Sequence, residues 1–246
     1  MKKEIVLIHQ ARMMSTRLPG KVLLEIDGRP LIEYSLERLR QAPSICKIVV
    51  ATTNNPKDEA IVEYCKSHDI DFYRGDEDDV LSRYYEAAKA YQADYIIRTT
   101  SDCPLIDPDV IEKIIKAYFD AENADYASNM LKETYPLGMC VEIFSMEILE
   151  EAYQKATERY EKEHVTPYIY MHPEKFSLLS VEQDEDLSFH RWTVDTVQDF
   201  NFVEKVIFHL KEKENPFSMK TVLEILKEHP EYMEINRKIK QKGVME

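Results

Sequence analysis

The feature that most constrains this chain is a regular alternation. Short apolar runs of strand type are each followed by a longer amphipathic stretch of helical type, and the pair recurs about every 25 to 30 residues through the first half. EIVLIH (4–9), KIVVAT (47–52), IDFYR (70–74), a run near 94–98 and ADYASN (124–129) read as strands. Between them, LIEYSLERLRQA after Pro30, NNPKDEAIVEYCKSH, DDVLSRYYEAAKAY and a stretch from Pro108 to about 122 read as helices. Such an order predicts βαβ units, a mostly parallel sheet and helices on both faces. Beyond residue 130 the rhythm changes. LGMCVEIFS reads as a strand, SMEILEEAYQKA as a helix capped by Ser145, and EHVTPYIYMHPEKFSLLSV as a short helix and a strand. HRWTVDT reads as a last strand before a helix from Val197 to about Leu210, and the tail from Pro216 as two amphipathic helices. The whole of 1–246 is expected to form one domain, with 130–184 as an appended region and 211–246 as a helical tail.

Composition narrows the function. Hydrophobic residues make up 44% of the chain, enough for a substantial core, and the net charge of −14 disfavours a nucleic-acid partner. The cysteines at 46, 65, 103 and 140 lack the spacing of a zinc site and read as free thiols. The apolar run at the start is too short for a signal peptide, and no stretch reaches the length of a membrane span. A cytoplasmic location is expected.

In so acidic a chain a local cluster of cations stands out. Three polar loops follow predicted strands, where doubly wound sheets bind ligands. The first, residues 10–21 (QARMMSTRLPGK), carries Arg12, Arg17 and Lys21, the hydroxyls of Ser15 and Thr16, and a Pro-Gly turn. It can wrap an oligophosphate with backbone amides and cations, although it is neither a P-loop nor a dinucleotide fingerprint. A solvated basic turn is the plain alternative. The second loop runs from Arg98 through Ser101 and Asp102 to Pro108, and the third is RWTVDT with Asp195. Each aspartate alone could be a helix cap, and Asp107 before Pro108 fits that role better than Asp102 does. Together Asp102 and Asp195 suit a Mg²⁺–triphosphate complex, because Mg²⁺ takes one or two carboxylates plus substrate phosphates.

With those loops identified, the sequence resembles the cytidylyltransferase family, in the branch of the spore coat polysaccharide biosynthesis SpsF type. That branch is related to the acylneuraminate and 3-deoxy-manno-octulosonate cytidylyltransferases. QARMMSTRLPGKVL, VVATTNNPKDEAIV, YRGDEDDVLSRYYEAA, IIRTTSDCPLIDPDVI, DYASN, EHVTPYIY and RWTVDT carry the resemblance in the family's order. It implies a Rossmann-like nucleotide-diphospho-sugar transferase fold, with 1–129 and 185–210 as the nucleotide-binding core. It also implies activation of a small anionic sugar or sugar acid with CTP, releasing pyrophosphate, with Mg²⁺ as cofactor. Arg12 and Lys21 match the basic positions that hold the triphosphate and stand as the catalytic cations. Gln10, Ala11, Ser15, Arg17 and Ser101 belong to the matched nucleotide loops, and Arg74 and Arg98 lie in segments that face nucleotide or sugar. Asp102 and Asp195 match metal-binding aspartates, and residues 130–180 match the region that forms a homodimer.

Two positions depart from the family pattern. Met14 replaces a glycine of A-R-M-G-S-T and is expected to crowd the phosphate loop. Cys140 replaces the acid of Y-P-x-G-x-D-V-E, while Glu142 remains. Two other readings stay open. A metal-dependent glycosyltransferase would need an Asp-x-Asp motif after a central strand, and of the two present Asp69-Ile-Asp71 begins a strand and Asp107-Pro-Asp109 opens a helix, so neither is well placed. A non-catalytic nucleotide-binding homologue would account for Met14 and Cys140.

Overall fold

The computed structural model describes residues 3–241 and 243; the ends of the predicted domain and tail, residues 1, 2, 242 and 244–246, lie outside them. β1 (Ile5–Gln10) leads into the polar loop, followed by a small hairpin of β2 (Glu25–Ile26) and β3 (Arg29–Pro30). Then come α1 (Leu31–Leu39), β4 (Lys47–Thr53), α2 (Glu59–Ser67), β5 (Asp71–Gly75), α3 (Val80–Ala90), β6 (Tyr95–Thr100) and α4 (Pro108–Asp120). The second half adds β7 (Tyr126–Ser128), β8 (Glu142–Ser145), α5 (Met146–Lys155), α6 (Arg159–His164), α7 (Pro167–Tyr170) and β9 (Leu178–Ser180). α8 (Val197–Leu210) and α9 (Met219–Glu228) close the fold.

Seven strands form one sheet in the order β5-β4-β1-β6-β8-β7-β9. β5, β4, β1 and β6 run parallel, β8 is antiparallel to both its neighbours, and β9 pairs parallel with β7. Strand alternation divides the core in two. Leu7, Val50, Ile97 and Ile143 face a layer that includes α1, α4, α8 and α9. Val6, Ile8, Val49, Ile96 and Phe144 face the layer of α3 and α5. The mostly parallel sheet with helices on both faces is therefore the one that the alternation predicted.

Local chemistry sets the helix starts. Ser145 accepts from Ile148 N at 3.3 Å as the cap of α5. Asp107, followed by Pro108, accepts from Asp109 N at 2.7 Å and also from Met219 N at 2.5 Å, which docks α9.

The predictions fail in places where backbone pairing is not local. RWTVDT is no sheet strand: Arg191 makes only an isolated bridge to Leu137. The strand expected over 137–145 is reduced to β8, because its first residues leave the sheet to meet RWTVDT. The tail holds one α-helix, α9, and a 3₁₀ turn over Pro230–Glu234 rather than a second amphipathic helix.

The meeting of the 137 and 192 segments requires a glycine. Gly138 has φ of +114°, and a Cβ there would lie 2.8 Å from both Thr193 N and Trp192 C. Leu137 N donates to His190 O (3.0 Å), and Trp192 N donates to Leu137 O (2.7 Å), so neither backbone can retreat. Gly138→Ala is expected to lower stability by about 2 kcal/mol, the cost of strained backbone plus a forced shift. Urea unfolding would read this; an unchanged midpoint would mean that the two segments part freely.

Candidate active site

The carboxyl ends of the parallel strands β1 and β6, together with the start of antiparallel β8, open into one cavity of about 710 Å³. Ser101 N donates to Gln10 O at 2.9 Å and so ties the first two loops together at its floor.

The loop after β1 is held in shape from outside the cavity. Asp58, 1% exposed, accepts from Met13 N at 2.7 Å, and its other oxygen takes the hydroxyl and amide of Thr53. This is the task of the NNPKDEA segment, which sequence reasoning saw only as a helix start. Gly20 (φ +72°) donates its amide to Met13 O at 2.8 Å and turns the chain into the 3₁₀ turn that begins at Lys21. The loop amides of Arg12, Met14, Thr16 and Arg17 carry no hydrogen bond to the protein among the described residues. They are available to a bound anion.

The centre of the site is an ion cluster. Lys21, 7% exposed, donates Nζ to Asp102 Oδ2 (2.8 Å), Asp195 Oδ1 (2.8 Å) and Val194 O (2.7 Å). Asp195 Oδ2 meets Arg17 and Arg191, each at 2.8 Å. Arg191 also donates to Asp199 at 2.8 Å and to Gln241 Oε1 at 2.8 Å, which brings the C-terminal tail to the cavity. Thr100 Oγ1 donates to Asp102 Oδ1 at 2.6 Å. The two distant aspartates meet because Val194 N donates to Asp102 O at 2.8 Å and Thr193 Oγ1 to the same oxygen at 3.2 Å. Neither aspartate caps a helix. Thr196 and Asp199 make the capping box of α8, which leaves the Asp195 carboxylate to the cluster.

Burial alone would pull the Lys21 ammonium down and push the Asp102 carboxyl up, since both forms lose hydration. Their pairing outweighs burial. Lys21 is raised by Asp102 and Asp195, and Asp102 falls to about 2 through Lys21 and the Thr100 hydroxyl. His9 behaves oppositely. Fully buried, it falls to about 4 and bonds Thr99 and Ser35 at 2.8 Å each, so it is a neutral core histidine.

A second group lines the far wall. Arg98 pairs with Glu142 at the β6–β8 register and lies over the Tyr84 ring. Glu142 also accepts from Tyr126 Oη and Thr166 Oγ1 at 2.6 Å each. Thr166 reaches it through a γ-turn: Val165, buried and β-branched, has φ of +74° and ψ of −56°, and Thr166 N donates to His164 O at 2.9 Å. That strained turn sets His164 and Thr166 against the cavity, beside Tyr160 and Tyr170. Nothing in the local pattern of EHVTP, read residue by residue, predicts it.

Of the expected site residues, Gln10, Arg12, Ser15, Arg17, Lys21, Arg98, Ser101, Asp102 and Asp195 line this one cavity. Gln10 Oε1 is buried without a hydrogen-bond partner among the described residues. Two are corrected. Arg74 turns away, donating to Glu59 (2.6 Å), Thr53 O (3.0 Å) and Asn55 O (3.3 Å), so it braces the turn after β4. Ala11 is buried and spends its amide on Ala51 O at 3.0 Å. Met14 does not crowd the loop either. It is 38% exposed, lies outside the cavity, and its φ is not positive. Cys140 does line the cavity; burial pushes its thiol up to about 11, so it brings no negative charge there. Arg191, His164 and Gln241 are among the cavity residues, or their direct partners, that sequence reasoning missed, and Glu142, noted there only as a remaining acid, lines the far wall.

Among the described residues no group of three or more His, Cys, Asp or Glu side chains could hold a metal alone. Asp102 and Asp195 supply hard oxygen donors fit for a magnesium ion that brings further oxygens from a ligand. The Asp-x-Asp candidates do not serve: Asp71 starts β5, at the opposite end of the sheet, and Asp107 caps α4.

With this geometry established, comparison with known proteins decides the family. The sequence model described as cytidylyltransferase matches residues 5–244. The chain belongs to the cytidylyltransferase family. It is 31% identical to the spore coat polysaccharide biosynthesis protein SpsF of Bacillus subtilis over 93% of this chain and 96% of that one. It is 38% identical to an uncharacterised protein of Methanocaldococcus jannaschii over 99% and 98% of the two chains. A solved cytidylyltransferase from Leptospira borgpetersenii superposes with a TM-score of 0.89 at 30% identity, covering 98% of this chain and 100% of that one. The CTP complex of CMP:2-keto-3-deoxy-manno-octonic acid synthetase shares the fold, with a TM-score of 0.66 at 18% identity over 84% and 99% of the two chains. No helix among the described residues is long and apolar enough to cross a membrane.

The lowered Asp102 carboxyl gives a pH signature. Its folded value lies below the ordinary 3.8, so its contribution is fully present above about pH 4 and is lost as pH falls towards about 2. The stability difference between wild type and Asp102→Asn, followed by urea unfolding, is expected to stay constant above about pH 5 and to shrink below about pH 4. A difference that does not change down to pH 3 would contradict the pairing with Lys21.

Proposed function

We propose that this chain transfers a cytidylyl group from CTP to a small anionic sugar or sugar acid, releasing pyrophosphate. The observation that carries this reading is the convergence of Lys21 and Arg17 of the first loop on the Asp102–Asp195 pair inside one cavity. Membership of the cytidylyltransferase family supports the reaction class, and the CTP complex of the octulosonate-type synthetase supports the choice of nucleotide.

In this reading the triphosphate lies along residues 10–21, meeting the open amides and the guanidiniums of Arg12 and Arg17. Gln10 Oε1, buried and without a partner among the described residues, accepts a hydrogen bond from the nucleoside. Bound magnesium would be held by Asp102 and Asp195 and would supply charge neutralisation on the phosphate oxygens. Lys21 and Arg17 neutralise charge that builds on the bridging and leaving oxygens, and the loop holds the α-phosphorus in line with the attacking hydroxyl. The wall from residues 130–184, with Arg98, Tyr160, His164 and Tyr170, receives the acceptor. His9 is too deeply buried to act as the base. The same region is proposed to form a homodimer, and a cytoplasmic location suits substrates of this kind.

Cys140 bears on the acceptor. A neutral thiol where the resemblance implies an acid removes a hydrogen-bond acceptor for sugar hydroxyls, which shifts the preferred acceptor in the group that meets this wall. The decisive assay screens pyrophosphate release with four nucleoside triphosphates against a panel of sugar acids and sugar phosphates. CTP is expected to be preferred, and Asp102→Ala or Asp195→Ala to lower kcat about 100- to 1,000-fold, as loss of an electrostatic stabiliser does. Wild-type release by both variants would remove the site assignment. CTP binding without release, for every acceptor, would favour a non-catalytic homologue. Met14→Gly is expected to leave CTP affinity within about twofold, since Met14 is 38% exposed and does not line the cavity. A large gain in calorimetric affinity would restore the crowding argument.

A further inference from the structure

All four carboxylate oxygens of Asp102 and Asp195 are already held by the protein's own donors. Lys21 Nζ sits 2.8 Å from Asp102 Oδ2 and 2.8 Å from Asp195 Oδ1. Arg17 and Arg191 hold Asp195 Oδ2, and Thr100 holds Asp102 Oδ1. The charges close on themselves: Lys21 and Arg17 offset the two aspartates, and Arg191 is offset by Asp199. A metal ion approaching this cluster therefore meets no net negative charge and must displace a buried ammonium that makes three hydrogen bonds.

We infer that Lys21 is a resident cation: in the nucleotide-free protein it closes the Asp102–Asp195 pair to divalent metal, and the pair opens only when a polyphosphate in the cavity takes Lys21 and Arg17 onto its own oxygens. The inference rests on the reading of the cavity as a metal–triphosphate site. It adds an order to that reading, because metal enters with the nucleotide or after it, never before. It also gives Lys21 a positioning task in the free protein distinct from its contact with phosphate. The exchange is balanced in charge: a polyphosphate supplies the anion that the two cations follow, and the exposed carboxylates then carry the two negative charges that a divalent ion neutralises.

Water-proton relaxation and calorimetry with Mn²⁺ on the full chain test this without any turnover. In the absence of nucleotide, wild type is expected to have no saturable Mn²⁺ site tighter than about 1 mM, and Lys21→Met to gain one site at least about tenfold tighter. Adding Asp102→Asn to Lys21→Met should abolish the gain, and Mn²⁺ should raise the melting temperature of Lys21→Met but not of wild type. If Lys21→Met does not fold, Lys21→Gln, which keeps a donor without the charge, carries the same expectation. Addition of CTP to wild type should produce the relaxation enhancement of enzyme-bound Mn²⁺. A nucleotide-free wild type that binds Mn²⁺ as tightly as the Lys21 variants would overturn the inference. A gain in the variants without any CTP effect on wild type would uphold the closed pair and refute its release by nucleotide. Failure of pyrophosphate release with a positive Mn²⁺ result would leave the resident cation standing and remove the transferase reading.

Discussion

The Lys21 ammonium is the joint on which the rest of the site depends. It lies between carboxylates 81 and 174 residues away in sequence and takes a carbonyl from Val194 as well. A buried ammonium is costly unless its donors are satisfied, so the loop that carries Lys21 and the two loops that supply its acceptors must close together. Most other features of the cavity follow from making that closure possible. Asp58 shapes the first loop from outside, Gly138 lets the third segment approach, and Asp199 takes over the helix cap so that Asp195 stays with Lys21.

The sheet supplies the frame for this joint. Parallel β1 and β6 end side by side, so their loops leave from the same edge, and antiparallel β8 begins at that edge with Glu142. The cavity therefore has a cationic side made from residues 10–21 and a mixed side made from β8, α6 and α7. The strained turn at Val165 belongs to the mixed side. A β-branched residue held at positive φ persists only where surrounding structure over-determines it. Here the Thr166–Glu142 bond and the buried valine side chain do so.

Much of this was legible in the sequence. Alternating runs of period two and period 3.6 gave the parallel sheet and its two helical layers, because both periodicities are local and each buried face needs a partner. The cations of residues 10–21 and the two aspartates stood out against an acidic chain. Other features depend on contacts between distant segments. RWTVDT looked like a strand because its apolar alternation is genuine, yet its one β-bridge is to Leu137, at a position chosen by Gly138. Arg74 and Met14 were misread for a related reason. Spacing places a residue on a loop but does not say which way its side chain turns, and Glu59 draws Arg74 away from the cavity. Arg191 passed unnoticed because its partners, Asp199 and Gln241, lie on a helix and a tail that carry no motif.

If nucleotide and metal meet at the Asp102–Asp195–Lys21 cluster, a crystal structure of the protein with CTP and Mn²⁺ will show it. An anomalous manganese peak is expected beside Asp102 and Asp195, with the triphosphate along residues 10–21 and the Lys21 ammonium moved onto phosphate oxygens. Nucleotide bound elsewhere, or a metal held without either aspartate, would contradict it.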